Sequence, residues 1–179
     1  VSQRSSGYER NERDSYETPE WVTKAVLPHL PRRFCKIWEP AAGSLKMVRA
    51  LYDGGCDVVG TDIASGTDFL RDNRRTEAVV TNPPYALARE FIEHALALTA
   101  PTRGYVAMLL RMDYDHAKTR AHLFSEEPAF AKKLVLTRRI VWFEGPQKAA
   151  PSFNHAWFVW DWLHRGPPII VYDRQLPTE

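Results

Sequence analysis

Four consecutive residues, Asn82-Pro83-Pro84-Tyr85, bring three chemically useful groups together. Asn82 supplies a side-chain amide oxygen, Pro83 a backbone carbonyl and Tyr85 an aromatic face. Proline has no N–H to donate, so the double proline ends any strand that runs into it and holds the chain rigid. Carbonyls at such a break lack ladder partners and point outward. Two fixed acceptors and one ring suit a planar amino group, the acceptors taking its hydrogens and the ring stacking on its plane. An ordinary strand-ending turn would use the same residue types. Context favours the chemical reading, because the apolar run Ala78-Val79-Val80-Thr81 leads into the motif and a helical pattern follows it.

The elements that must position this motif can be read along the chain. Residues 1–15 are rich in Ser, Arg, Glu and Asn, which predicts a flexible N-terminal segment. Thr18 as N-cap and Pro19 as first helical residue start a helix carrying Trp21, Val22, Ala25, Val26 and Leu30 at helical spacing. Pro28 and Pro31 end it. Phe34–Trp38 reads as the first strand and runs into the loop Glu39-Pro40-Ala41-Ala42-Gly43-Ser44. Leu45, Val48, Leu51 and Tyr52 predict a helix stopped by Gly54-Gly55. Cys56–Asp62 is a second strand ending in an acid. Thr67-Asp68-Phe69-Leu70 follows too soon for an intervening helix.

Beyond the motif, Leu87, Phe91, Ile92, Ala95, Leu96 and Leu98 form an amphipathic helical pattern closed by Pro101. Tyr105–Leu110 is a strand emerging at Arg111-Met112-Asp113-Tyr114, and a helix is expected from there to about Phe124. Leu134–Phe143 and Ser152–Trp162 read as adjacent strands with no helix between them, and Ile169–Tyr172 as a short extra one. Alternation of strands and helices followed by paired strands predicts an α/β, Rossmann-like fold. Its sheet is mostly parallel and seven-stranded, with an antiparallel edge hairpin. Ligands in such folds sit beyond the carboxyl ends of the strands. Small side chains in the 39–44 loop let backbone approach a ligand, and helix-start N–H groups can bind a carboxylate.

At 179 residues, 44% of them hydrophobic and 26% charged, the composition is that of one globular domain. No apolar run reaches membrane-spanning length and the N-terminus is polar, so a cytoplasmic protein is expected. Cys35 and Cys56 have no metal-ligand spacing and form no disulfide framework. The six histidines show no ligand pattern, and no metal site is expected. Net charge is +2, but residues 128–150 carry Lys132, Lys133, Arg138, Arg139 and Lys148 against Glu144 alone. Such a stripe is either a phosphate-contacting surface or a solvated strand face.

The motif resembles that of S-adenosylmethionine-dependent amino-methyltransferases, which carry (Asn/Asp/Ser)-Pro-Pro-(Tyr/Phe). These include DNA adenine and cytosine enzymes, some RNA enzymes and the glutamine methyltransferases of release factors. Tyr16-Glu17-Thr18-Pro19 resembles the Tyr-x-Thr-Pro element of the DNA adenine enzymes, which implies that Tyr16, Thr18 and Pro19 lie over the cofactor's methionine end. The Glu39-Pro40-Ala41-Ala42-Gly43 loop is similar to the family's Glu-Pro-x-x-Gly-x-Gly, with Leu45 standing where the second glycine is usual. The resemblance implies that Asp62, with Ile63 beside it, holds the cofactor ribose. It implies that Asp68, in the Asp68-Phe69 pair, accepts from the adenine amino group. It makes Asn82, Pro83 and Tyr85 the catalytic set, with Asn82 also bordering the cofactor, and implies the class I methyltransferase version of the doubly wound fold across Tyr16 to Trp162.

A single catalytic domain over residues 16–179 is expected, with no separate target-recognition domain. The segment 142–153 should overhang the active site, so that Pro84, Tyr85, Arg111, Trp142, Lys148 and Phe153 form the substrate side. The expected substrate is nucleic acid, adenine in DNA first, flipped out or single-stranded and stacked on Tyr85. An RNA base, a protein glutamine amide and a non-catalytic binding module are the alternatives.

Overall fold

The computed structural model describes residues 17–31, 33, 36–142 and 153–173. Its strands are Lys36–Glu39 (β1), Asp57–Gly60 (β2), Ala78–Thr81 (β3), Tyr105–Arg111 (β4), Phe130–Val135 (β5), His155–Asp161 (β6) and Ile169–Tyr172 (β7). They form one sheet in the order β2-β1-β3-β4-β6-β5-β7. β2, β1, β3 and β4 run parallel, β6 is antiparallel to β4 and β5 on either side of it, and β7 pairs in parallel with β5. The seven-stranded, mostly parallel α/β sheet expected from the sequence is therefore present. The antiparallel strand β6 lies inside the sheet, and β7 takes the outer edge.

Helices Glu20–Val26 (α1) and Lys46–Asp53 (α2) pack on one face of the sheet and Ala88–Thr99 (α3) on the other. α1 and α2 bury Val22, Val26, Met47 and Leu51 against Ile37, Ala78, Val80 and Trp157. α3 buries Phe91, Ile92, Ala95 and Leu96 against Val79, Val106, Phe158 and Trp160. Alternate residues of β3 thus serve opposite cores, as the two-residue period of a strand requires.

Several local expectations are corrected. Pro19, not Thr18, is the N-cap of α1, and no side chain caps that end. The helix expected up to Phe124 is instead a 3-10 run over Lys118–Leu123. The strand expected over 134–143 begins earlier and ends at Val135. Both the amide and hydroxyl of Thr137 donate to the Asp173 carboxylate, at 2.8 and 2.6 Å, which turns the chain off the ladder. Ile140 then plugs the core from outside the strand. In α2 the buried stripe is Met47, Ala50 and Leu51, leaving Tyr52 exposed.

The parallel strands end together at Glu39, Gly60, Thr81, Arg111 and Val135. β6 runs the other way, so its first residue, His155, joins the same rim opposite Arg111. The chain order reverses between β1 and β3, which makes this rim the topological switch point where doubly wound sheets bind ligands.

Candidate active site

The motif sits at the centre of that rim. Thr81, wholly buried, ends β3; Pro83 is buried, while Asn82, Pro84 and Tyr85 are half-buried. The Pro84 carbonyl accepts the Leu87 amide at 2.9 Å, starting the 3-10 turn Tyr85–Leu87 that leads into α3. Asn82 Nδ2 donates to the Thr18 hydroxyl at 3.1 Å across 64 residues of sequence. Thr18 is therefore no helix cap; its hydroxyl orients the Asn82 amide. One residue earlier, Glu17 pairs with Lys46 at 2.5 Å. Hydrogen bonds from Lys46 and Ser44 hold the Glu17 carboxyl below its usual pKa. The stretch from Glu17 to Pro19 is thus pinned to both the loop after β1 and the motif after β3. Tyr16 lies outside the described residues.

The loop after β1 is cross-linked by acidic side chains. Glu39 is 1% exposed, and its Oε1 accepts from the Ala41 amide at 2.9 Å and the Thr81 hydroxyl at 2.6 Å. Burial, reinforced by the Asp62 charge, pushes the Glu39 pKa up to about 8 against those two hydrogen bonds. Asp62 follows β2, its Oδ2 accepting from Gly43 N at 2.9 Å and its Oδ1 from Ala64 N at 2.8 Å. Pro40 is buried and Ala41 half-buried, while Ile63 is 72% exposed. Asp68 accepts from Leu70 N at 3.1 Å and meets Arg71 at 3.3 Å, while Phe69 is buried edge-on to Trp38. Leu45 adopts φ 67°, a left-handed conformation that suits the glycine expected there and costs a leucine about 1 kcal/mol or more. Gly43, at φ 45°, faces open space: a Cβ there would meet no atom within 4 Å.

The other half of the rim is aromatic. Tyr85 stacks on His155 with ring centres 5.9 Å apart and planes at 26°. Trp142 meets His155 edge-on at 5.2 Å. Arg111 holds Asp113 at 2.9 Å and lies over the Phe153 ring at 4.3 Å. Asn154 ties the start of β6 down, its carbonyl accepting from Met112 N and its side chain from Arg139 Nε. The structure therefore brings Tyr85, Arg111, Trp142 and Phe153 to one side of the site. Lys148, and with it most of the 142–153 segment, lies outside the described residues.

The basic stripe does not survive folding as one surface. Lys132 and Lys133 alternate across β5, and Lys132 Nζ donates to the His29 carbonyl at 2.9 Å, with burial lowering its pKa. Lys133 is ion-paired with Asp115 at 2.8 Å. Arg138 lies over the Trp21 ring at 3.9 Å. Arg138 and Arg139 follow the end of β5 and remain at the rim. His155 was not foreseen from sequence. A polar residue opening an otherwise apolar strand, SFNHAWFVW, was the available signal.

Among the described residues no cluster of His, Cys, Asp or Glu could hold a metal ion, and no helix is long and apolar enough to cross a membrane. The architecture is that of the class I methyltransferase fold. One solved structure like it is a Listeria monocytogenes protein described as a class I S-adenosylmethionine-dependent methyltransferase. The two share 14% identity over 90% of this chain and 66% of that one, with a TM-score of 0.61. The chain thus spans about two thirds of that protein's length. A Pyrococcus horikoshii protein described as an RNA methyltransferase matches at 14% identity, 83% and 88% coverage and a TM-score of 0.58. The 23S rRNA methyltransferase ErmE matches at 14% identity, 86% and 71% coverage and a TM-score of 0.55. No family model and no curated protein matches the sequence.

Proposed function

We propose that this protein transfers a methyl group from S-adenosylmethionine to the exocyclic amino group of a nucleobase, adenine in DNA foremost. The carrying observation is the Thr18–Asn82 hydrogen bond, which joins the segment over the β1 loop to the motif's amide at the switch point. The residues present fit the cofactor: Gly43 leaves its side of the loop open, and Ile63 presents exposed apolar surface beyond β2. Asp62 and Asp68 would hold ribose and adenine, since each carboxylate oxygen keeps a second lone pair after accepting one amide. Thr18, Pro19, Pro40 and Ala41 would border the methionine end.

When bound, the cofactor supplies an electrophilic methyl carried on a sulfonium. This chain's residues do the rest. Asn82 Oδ1 and the Pro83 carbonyl accept the two hydrogens of the acceptor amino group, drawing its lone pair out of conjugation and favouring the positive charge that develops on nitrogen. Thr18 holds the Asn82 amide in the orientation this needs. Tyr85 stacks on the base plane, and the rigid Pro83-Pro84 step fixes the distance between ring and acceptors. No strong base is required, because the amino proton leaves after methylation. The neutral acid Glu39 keeps the ends of β1 and β3 in register beneath both sites.

An RNA base is the second reading, supported by the fold likeness to ErmE and the Pyrococcus protein. Transfer of a labelled methyl to DNA, to RNA and to glutamine-bearing peptide tests all of these. Label in DNA adenine is the expected result. Label in RNA alone moves the acceptor to the second reading, label in peptide alone refutes nucleobase transfer, and none in any acceptor refutes catalysis.

A further inference from the structure

His155 opens β6 in register with Arg111, on the rim shared with the motif. Only 3% of it is exposed, and its polar contact is a backbone hydrogen bond with Phe153, two residues before it. Burying an imidazole costs stability that one backbone hydrogen bond only partly offsets, so folding alone would favour an apolar side chain here. What the imidazole does have is ring neighbours: Tyr85 stacked on it at 5.9 Å and Trp142 edge-on at 5.2 Å. Burial and the nearby Arg111 guanidinium push its pKa down to about 4, so the ring facing Tyr85 is neutral near pH 7. A neutral flat ring can back a phenol without carrying a charge into the site. Tyr85 itself remains half-buried.

We propose, resting on the amino-methyl transfer reading above, that His155 is a positioning residue for the acceptor base. It backs Tyr85 and sets the plane on which the base stacks. The role belongs to the flat ring and acts through Tyr85, not through contact with the methyl donor. Trp142 braces the imidazole from its edge, and the pairing of residue 155 with Arg111 fixes where the ring stands.

The test compares His155→Phe, which keeps a flat ring, with His155→Leu, which keeps apolar bulk without a plane. Both should fold, with melting temperature at or above that of the wild type. For the acceptor that the wild type methylates, His155→Leu should raise KM about fivefold to tenfold, the size of one aromatic pair contact. His155→Phe should stay within about twofold of the wild type. Without turnover, quenching of 2-aminopurine in a short single strand should weaken in His155→Leu and persist in His155→Phe. Cofactor affinity by calorimetry should be unchanged in both. In a Tyr85→Ala background, His155→Leu should add no further loss. Equal behaviour of the Leu and Phe variants, or full additivity with Tyr85→Ala, overturns the inference while leaving the transfer reading intact. A wild type that neither methylates nor quenches any nucleic acid overturns both.

Discussion

The two halves of the site are held by different forces. On the side of β1 and β2, acidic side chains accept backbone amides: Glu39 binds Ala41, Asp62 binds Gly43 and Ala64, and Asp68 binds Leu70. On the side of β4 and β6, rings lie against rings and cations: Tyr85 on His155, Trp142 against His155, Arg111 over Phe153. Hydrogen bonds to backbone are directional and fix a loop to within a few tenths of an ångström. Ring contacts tolerate sliding, since offset and edge-on arrangements have similar energies. One half is therefore built as a fixed cradle and the other as an adjustable wall. Under the proposed transfer, the cradle would take the cofactor, a ligand of constant shape, and the wall a base on a flexible strand. The Thr18–Asn82 bond crosses between them.

The largest effect should come from the residue at that crossing. Asn82→Ala removes a preorganised acceptor, and methyl transfer should fall by ~100-fold or more while cofactor affinity is kept. Transfer rates beside calorimetry with the demethylated cofactor measure this; near-normal turnover would dissolve the assignment. Next in size, Asp62→Ala and Asp68→Ala should weaken cofactor binding by about 1.5–3 kcal/mol each, with acceptor binding unaffected. Asp62→Ala should also lower the melting temperature, because it releases the Gly43 and Ala64 amides. If either aspartate instead governs acceptor binding, the cradle and the wall have been assigned to the wrong sides.

The two halves were unequally legible from sequence. Parts of the cradle were legible because they are short and local: a Glu-Pro loop, an aspartate read as closing a strand that in fact ends at Gly60, a strand broken by two prolines. The motif's place at the end of β3 followed from proline chemistry alone. Of the wall, Tyr85, Arg111, Trp142 and Phe153 could be named from the sequence, but His155, against which Tyr85 and Trp142 lie, could not, because that contact is made by register. His155 matters only because β6 pairs with β4 so that residue 155 faces residue 111. A sequence records no cross-strand partner. The basic stripe failed for a related reason. Neighbouring lysines on a strand point to opposite faces, and Lys132 and Lys133 each found an internal partner. Thr18 was read as a cap because Thr-Pro is a good helix start; a partner 64 residues away overrode the local signal.

A smaller effect should come from the arginines left at the wall's rim. If Arg138 and Arg139 meet phosphates, then Arg138→Gln and Arg139→Gln should each reduce the salt dependence of nucleic-acid binding by about one unit of slope, without changing which base is methylated. Binding titrations at several salt concentrations read this directly. Unchanged slopes would confine phosphate contact to other residues.

The smallest expected effect is on stability, and there the two halves should respond to pH in opposite directions. Glu39 belongs to the cradle, and burial raises its pKa from 4.5 to about 8. The folded protein therefore holds a proton that the unfolded chain gives up above 4.5, so this contribution is full at low pH and is lost as pH rises towards 8. His155 belongs to the wall, and burial lowers its pKa from 6.5 to about 4. Here the unfolded chain takes up a proton that the folded protein refuses, so stability is full above 6.5 and falls as pH drops towards 4. The two contributions offset one another between about 4.5 and 6.5, so melting temperature should be level there and decline by a few degrees on either side, about the shift that a kcal/mol or so produces in a chain of this size. Glu39→Gln should remove the alkaline decline, since a neutral amide cannot ionise, and leave His155 to set a rise that continues up to pH 6.5. His155→Phe should remove the acid decline and leave Glu39 to set a fall that begins near pH 4.5. Each variant thus tests one half by itself. An alkaline limb unchanged by Glu39→Gln would mean that Glu39 is ionised in the folded protein, and the cradle would then present a negative charge to its ligand instead of a neutral acid.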